Sequence, residues 1–240
     1  MLASLARRAT LIVAVLAGPA FADDLADFNA AVEKASAHNR VAIGYLRTGN
    51  LELAELEIER LREAWARLSE RFAGKRPAVF EGNERYGQIW TTEAMRQVGI
   101  NLMMNMGKPD AVAKALNGLR TDLYELRKSG GVVVLADCVR DANAIMDAFM
   151  IYNDRALDWS KSETRTDVAE KATSYGTTLE RCDGIAGDDR SSPEFRRLID
   201  GAKESLKFIP QAVENRDADL LHRVLIELRS FDNLLAFRYG

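Results

Sequence analysis

Residues 47–68 read RTGNLELAELEIERLREAWARL, a short polar break followed by an amphipathic stretch. After Gly49 the apolar residues recur at spacings of three and four, which is the period of one helix face. They are, in chain order, Leu51, Ala54, Ile58, Leu61, Trp65 and Leu68. A glycine that ends one helix, followed by the apolar stripe of the next, is typical of a helical hairpin.

The same pattern occurs three times in one register. A Leu-Arg pair comes twelve residues after each of three breaks, and another leucine comes seven residues after the first. The breaks are at Gly49, Gly107 and Arg216, and the leucines are Leu61 and Leu68, Leu119 and Leu126, and Leu228 and Leu235. The repeat predicts an all-α chain of tandem helical hairpins.

The Ser129-Gly130-Gly131 stretch divides the chain into two parts of similar length. Each part has about the length of an up-down four-helix bundle, so we expect one bundle over 23–130 and another over 131–240. Stacking of the same hairpins into a short helical-repeat array is the alternative.

The N-terminus has the features of a secretory signal peptide over 1–22. Arg7 and Arg8 precede a short apolar stretch, and Ala20-Phe21-Ala22 is an A-x-A cleavage signal. We therefore expect a periplasmic protein, exported by the ordinary secretion route in preference to the twin-arginine route, whose signal the arginine pair matches poorly.

The charge and the apolar pattern of the chain disfavour two classes of protein, those that bind nucleic acid and those that span a membrane. The 240-residue chain has a formal net charge of −3, which becomes −5 without Arg7 and Arg8. An acidic chain is poorly suited to binding nucleic acid, which requires a basic surface. After the signal peptide, no apolar run reaches the ~20 residues of a membrane span.

The two cysteines, Cys138 and Cys182, are expected to form a disulfide in an oxidising compartment. Their midpoint is residue 160, at the predicted turn of the third hairpin, so both lie 22 residues from it. Positions equidistant from the turn of an antiparallel hairpin lie side by side. A metal held by the two thiols is the alternative, but no histidine or further cysteine lies near them in sequence.

Three local features give further expectations. Residues 73–90 hold four glycines or prolines and several aromatics, and predict a long linker whose aromatics cover a bundle end or form a lid. The next helix is then expected to begin at Thr91 or Thr92. The apolar run at 132–135 is assigned to a helix, and Pro210 is expected to kink one.

The C-terminal part resembles the periplasmic four-helix-bundle cytochromes of the soluble cytochrome b and cytochrome c-prime type. The similar features are Ser192-Pro193-Glu194, the break at Arg216, Leu228 and Asn233. The resemblance implies a tandem of periplasmic bundles of this architecture.

The haem ligands of that family are missing. The b-type members use a histidine near the end of the last helix, where this chain has Ala236, and a methionine in the first helix, whereas 23–72 contains none. The c-type members attach haem through C-x-x-C-H, and Cys182 is followed by neither a second cysteine nor a histidine at that spacing. The resemblance therefore does not carry the usual haem ligation.

Two sets of residues could still bind a metal or haem. Met103 and Met106, and Met146 and Met150, form pairs at helical spacing, and thioethers select Cu(I). Core packing is the alternative role for methionine. His38 and His222 are the only two histidines, and either could ligate haem.

No P-loop, dinucleotide-binding or three-histidine zinc motif is present in the sequence. The sequence therefore favours an exported, non-enzymatic helical-bundle protein that binds a periplasmic protein partner or a small ligand. The alternative is a periplasmic copper- or haem-binding electron-transfer protein that uses the methionine thioethers.

Overall fold

A computed structural model describes residues 19–153 and 157–240, with side chains from residue 24 onward. Most of the predicted signal peptide, residues 1–18, lies outside the described residues. The described part is all-α and contains no β-strand, which confirms the predicted fold class.

Four helices form the first half of the chain. They are α1 (Pro19–Arg47), α2 (Leu51–Phe72), α3 (Glu84–Asn105) and α4 (Pro109–Ser129). The pairs α1–α2 and α3–α4 pack as hairpins, and α4 packs back against α1. This return contact closes the helices into a bundle, as predicted, in preference to an open array.

The second half forms a similar bundle, in which the third helix is broken into two segments. Its helices are α5 (Leu135–Phe149), α6 (Ser162–Ile185), α7 (Pro193–Leu206), α8 (Ile209–Asn215) and α9 (Ala218–Tyr239). The expected kink at Pro210 is confirmed, because α7 ends four residues before this proline and α8 begins one residue before it. α9 packs against α5 and α7, and α6 packs against α5, α7 and α8.

The repeated leucines occupy the core of both bundles. All six of them are at most 2 % exposed. Four of them, in α2 and α4, belong to one continuous cluster of buried residues, and the two in α9 belong to a second. The four are Leu61, Leu68, Leu119 and Leu126, and the two are Leu228 and Leu235. Each cluster lies within one predicted half.

The three breaks share one backbone conformation. Gly49, Gly107 and Arg216 have φ values of 77°, 64° and 54°, in the left-handed region that ends helices. Arg216 is the only residue other than glycine with positive φ in the described part of the chain. A side chain in this conformation costs about 1–2 kcal/mol relative to glycine.

The predicted start of α3 at Thr91 or Thr92 is wrong. α3 begins at Glu84, and the Asn83 side chain caps it by accepting a hydrogen bond from the Arg85 backbone N–H. The aromatics of this segment pack over the bundle end as expected, since Phe80 and Tyr86 are fully buried around Phe28. The Tyr86 hydroxyl donates to the Phe72 carbonyl oxygen at 2.7 Å, which fixes the segment to the end of α2.

The assignment of residues 132–135 to a helix is also wrong, because α5 begins only at Leu135. Val134 is extended, and the Val132 N–H donates to the Arg127 carbonyl oxygen at the end of α4. Beta-branched valines suit this extended connection better than a helix N-terminus.

Several polar contacts join the two bundles. Arg127 at the end of α4 makes two hydrogen bonds, of 2.7 and 2.5 Å, to the buried Asp137 carboxylate of α5. Arg40 of α1 donates to the carbonyl oxygens of Phe237 and Gly240 at the end of α9. Among the described residues, no helix combines the length and apolar character that a membrane span requires.

Candidate functional site

The two histidines lie in different bundles, and each has a local partner. His38 of α1 lies with Nδ1 2.7 Å from Oε2 of Glu57 in α2, and Arg60 donates to the same carboxylate at 2.5 Å. His222 of α9 lies with Nδ1 3.3 Å from the carbonyl oxygen of Asn153. In residues 19–153 and 157–240, no group of three or more His, Cys, Asp or Glu side chains is arranged to hold a metal. Haem ligation by either histidine stays a prediction.

The two methionine pairs belong to different core clusters. Met103 packs against the first cluster and Met106 is 54 % exposed, whereas Met146 is fully buried in the second cluster and Met150 packs against it. The structure therefore does not bring the four thioethers into one site. Copper binding by these methionines stays a prediction, and packing explains the position of Met146.

The predicted disulfide is confirmed. Cys138 of α5 and Cys182 of α6 are bonded, with their Cα atoms 5.5 Å apart. Both cysteines are 1 % exposed, so the bridge lies inside the second bundle and clamps the open end of the α5–α6 hairpin. This is the location that the equal distances from the turn predicted.

A buried polar network lies in the same bundle. Asp232 of α9 is 1 % exposed, and its Oδ1 accepts hydrogen bonds from Asn143 of α5 at 2.8 Å and from the Tyr175 hydroxyl of α6 at 3.4 Å. Arg229 donates to the other carboxylate oxygen at 3.2 Å and to Asp147 of α5 at 2.5 Å. The network thus ties together three helices of the second bundle.

Burial raises the pKa of Asp232 to about 6. The hydrogen bond from Asn143 and the charge of Arg229 act in the opposite direction and lower this pKa. The negative charge of the exposed Asp147 raises it further. The pKa of Tyr175 is raised well above its ordinary value by burial and then by the Asp232 carboxylate. These groups are enclosed by the bundle, so they bear on its stability and give no access to a substrate.

An apolar groove lies on the surface of the second bundle. It runs between α6 on one side and α7 and α8 on the other and has a volume of about 530 Å³. Most of the residues that line it are apolar or small, namely Ala169, Ala172, Thr173, Gly176, Leu206, Ile209, Pro210 and Val213. A volume of ~300–1,000 Å³ with a largely apolar lining is typical of small-molecule sites.

The groove results from two local features of the sequence. Small residues at Ala169, Ala172 and Gly176 follow the helical repeat along α6, and they leave space where larger side chains would contact the opposite wall. On that wall, Pro210 lacks a backbone N–H and interrupts the helix between Leu206 and Ile209. A second depression of about 610 Å³ shares Ala169, Thr173 and Val213, and extends the groove along α6 toward Arg165.

Two lysines line the groove beside the apolar surface. Lys203 lies 3.7 Å from Glu180, and Lys207 lies 2.5 Å from Glu204, with all four side chains partly or largely exposed. Such surface ion pairs contribute about 0–1 kcal/mol each, so either ammonium can exchange its partner for another anion at little cost. Glu214 is the one acidic side chain among the residues that line the groove.

The sequence analysis above does not predict this groove. The pattern that indicates it is the set of small residues at helical spacing in α6, next to a helix that a proline interrupts. Only the packing of α6 against α7 and α8 shows that these two features face each other.

The chain was compared with protein-family models, with curated proteins and with solved structures, and none of the three comparisons finds a match.

Proposed function

We propose that the protein is an exported, non-enzymatic helical-bundle protein that binds a single-chain amphiphile in the groove between α6, α7 and α8. The apolar groove itself is the observation that supports this function. The proposal takes a single-chain amphiphile as the small ligand and this groove as its site.

The chemistry of the lining favours a molecule with an apolar chain and an anionic head. The small residues of α6 and the aliphatic residues around Pro210 offer a surface for a hydrocarbon chain, which gains about 0.8 kcal/mol for each buried CH₂. Lys203 and Lys207 on the same lining supply the ammonium groups for a carboxylate. A medium-chain fatty acid has this chemistry.

Isothermal titration calorimetry with dodecanoate, below its micelle concentration, tests the proposal. We expect one site per chain with a dissociation constant in the micromolar range, about −8 kcal/mol. Thr173→Trp places an indole in the groove that Thr173 lines, and should abolish binding. Thr177→Trp is the matched control, one helical turn further on and outside the lining, and should bind as the wild type does.

The head-group preference is tested separately with dodecyltrimethylammonium, which has the same chain and the opposite charge. We expect weaker binding of this cation, and a loss of the preference in Lys203→Gln. Equal binding of dodecanoate by Thr173→Trp and the wild type, or no binding by the wild type, would show that the proposal is wrong.

A further inference from the structure

The outward side of α3 carries an uncovered apolar stripe. Met95, Val98, Leu102 and Met106 are 70, 71, 60 and 54 % exposed. Their spacings of three, four and four place them along one line of the helix surface. The opposite side of α3 is apolar as well, and contributes buried residues such as Ile100 to the core. A helix that is apolar on both sides is typical of one that is covered on both sides.

Three residues of the stripe, Met95, Val98 and Leu102, have the spacing of a coiled-coil seam. Positions 88, 91, 95, 98, 102 and 105 alternate at intervals of three and four, which is the heptad pattern of two helices that pack lengthwise. Gln88, Thr91 and Asn105 give the seam polar ends around an apolar centre. The seam spans 18 residues, or about 27 Å of helix. The geometry therefore suits another helix as the partner.

This face carries no exposed charge of its own. Glu93 and Arg96 are the only ionisable residues between 88 and 106; Glu93 is fully buried, and Arg96 turns inward to donate to it at 2.7 Å and to pair with Asp122 of α4. An uncharged face can meet its own copy without like-charge repulsion, whereas an acidic or basic partner would find no countercharge on it.

The centre of the seam leaves room for close approach. In an antiparallel pair with its two-fold axis near Val98, Met95 of one copy lies opposite Leu102 of the other. Gly99 adjoins this axis, and no atom lies within 4 Å of the position that a Cβ would occupy there. The rim is polar, since Arg62 of α2 donates to Asn101 beside the stripe.

We propose that α3 packs against α3 of a second copy of this chain, and that the protein forms a homodimer through this face. A helix face of this length offers on the order of 500 Å² per copy, less than the ~800 Å² of a standard interface. The dimer is accordingly concentration-dependent, with dissociation in the micromolar range.

Sedimentation velocity of the full chain from about 1 to about 500 µM tests the dimer. We expect the wild type to shift from monomer to dimer across this range, and Val98→Glu to remain monomeric because two carboxylates then meet at the axis. Val133→Glu is the matched control, since Val133 is also exposed, at 63 %, but lies between the bundles and should leave the dimer intact. Circular dichroism establishes that each variant is folded.

A wild type that stays monomeric throughout, or a Val98→Glu variant that dimerises like the wild type, would overturn the proposal. Mixing the Val98→Glu and Val98→Lys variants gives a second measurement. An equimolar mixture should recover a heterodimer that neither variant forms as a homodimer, and failure to recover it would refute the two-fold axis near Val98.

Discussion

Replacement of Asp232 by asparagine should remove a defined part of the pH dependence of stability. Asp232 is 1 % exposed, and burial raises its pKa to about 6 from an ordinary 3.8. The folded chain therefore holds a proton at this carboxyl more tightly than the unfolded chain does. The free energy of unfolding that this group contributes is fully present below pH ~4 and is lost as the pH rises through about 6.

The magnitude follows from the two pKa values. A shift of about two units corresponds to about 3 kcal/mol in total, of which about 2 kcal/mol is lost between pH 4.5 and pH 7.5. Asparagine keeps an oxygen that can accept from Asn143 and does not ionise. We therefore expect the difference in free energy of unfolding between Asp232→Asn and the wild type to change by about 2 kcal/mol in favour of the variant when the pH rises from 4.5 to 7.5.

Urea unfolding followed by far-ultraviolet circular dichroism, at both pH values, measures this difference. Comparing the variant with the wild type cancels the carboxylates common to both chains. Asp200→Asn is the control, because it removes an exposed carboxylate of α7 that pairs only loosely with Arg196. If Asp232→Asn and Asp200→Asn showed the same small change between the two pH values, the assignment of a raised pKa to the buried carboxyl would be refuted.

Three further predictions concern stability and use the same unfolding measurement. Arg216→Gly removes the steric strain of a side chain in the left-handed conformation and should raise the free energy of unfolding by up to about 1 kcal/mol. An unchanged or lower free energy of unfolding would show that this position is not strained. Gly201→Ala should lower the free energy of unfolding by about 1–3 kcal/mol, because the new Cβ would lie 2.6 Å from the Phe231 ring. Gly184→Ala is the control: no atom lies within 4 Å of its Cβ position, so the free energy of unfolding should stay the same or rise. Replacing both Cys138 and Cys182 by serine opens a loop with a sequence separation of 44. On the chain-entropy account this should lower the free energy of unfolding by about 4 kcal/mol, and a decrease of less than about 1 kcal/mol would contradict that account.

The features of this fold that could be predicted from the sequence are those set by local periodicity and backbone chemistry. The leucines of the three-fold repeat are buried, the breaks at Gly49, Gly107 and Arg216 have the left-handed conformation, and Pro210 breaks its helix. The cysteine pairing followed from the presence of two cysteines in an exported chain and from their equal distances to the turn of an antiparallel hairpin.

The errors arose where tertiary contacts decide the outcome. Tyr86 lies in a segment rich in glycine and aromatics, but its burial against Phe28 and Phe80 supports a helix that begins at Glu84. Val134 is extended because the chain crosses there from one bundle to the other, and the prediction of a helix gave more weight to the helical context than to the β-branched valines.

The groove and the Asp232 network depend on which helices become neighbours. Asn143, Tyr175 and Asp232 are up to 89 positions apart in the chain, and each alone has the character of an ordinary helix residue. Their relation appears only when α5, α6 and α9 are packed together.

The location of the disulfide makes the two halves of the molecule unequal in their response to reductants. Both cysteines belong to α5 and α6, and α6 is also one wall of the groove. Reductants should therefore loosen the second bundle, including the wall that α6 contributes to the groove, while α1–α4 keep their helical content. The half that carries the groove would therefore reach its full stability only after the two cysteines are oxidised, so the redox state of the surroundings would set the stability of that half alone.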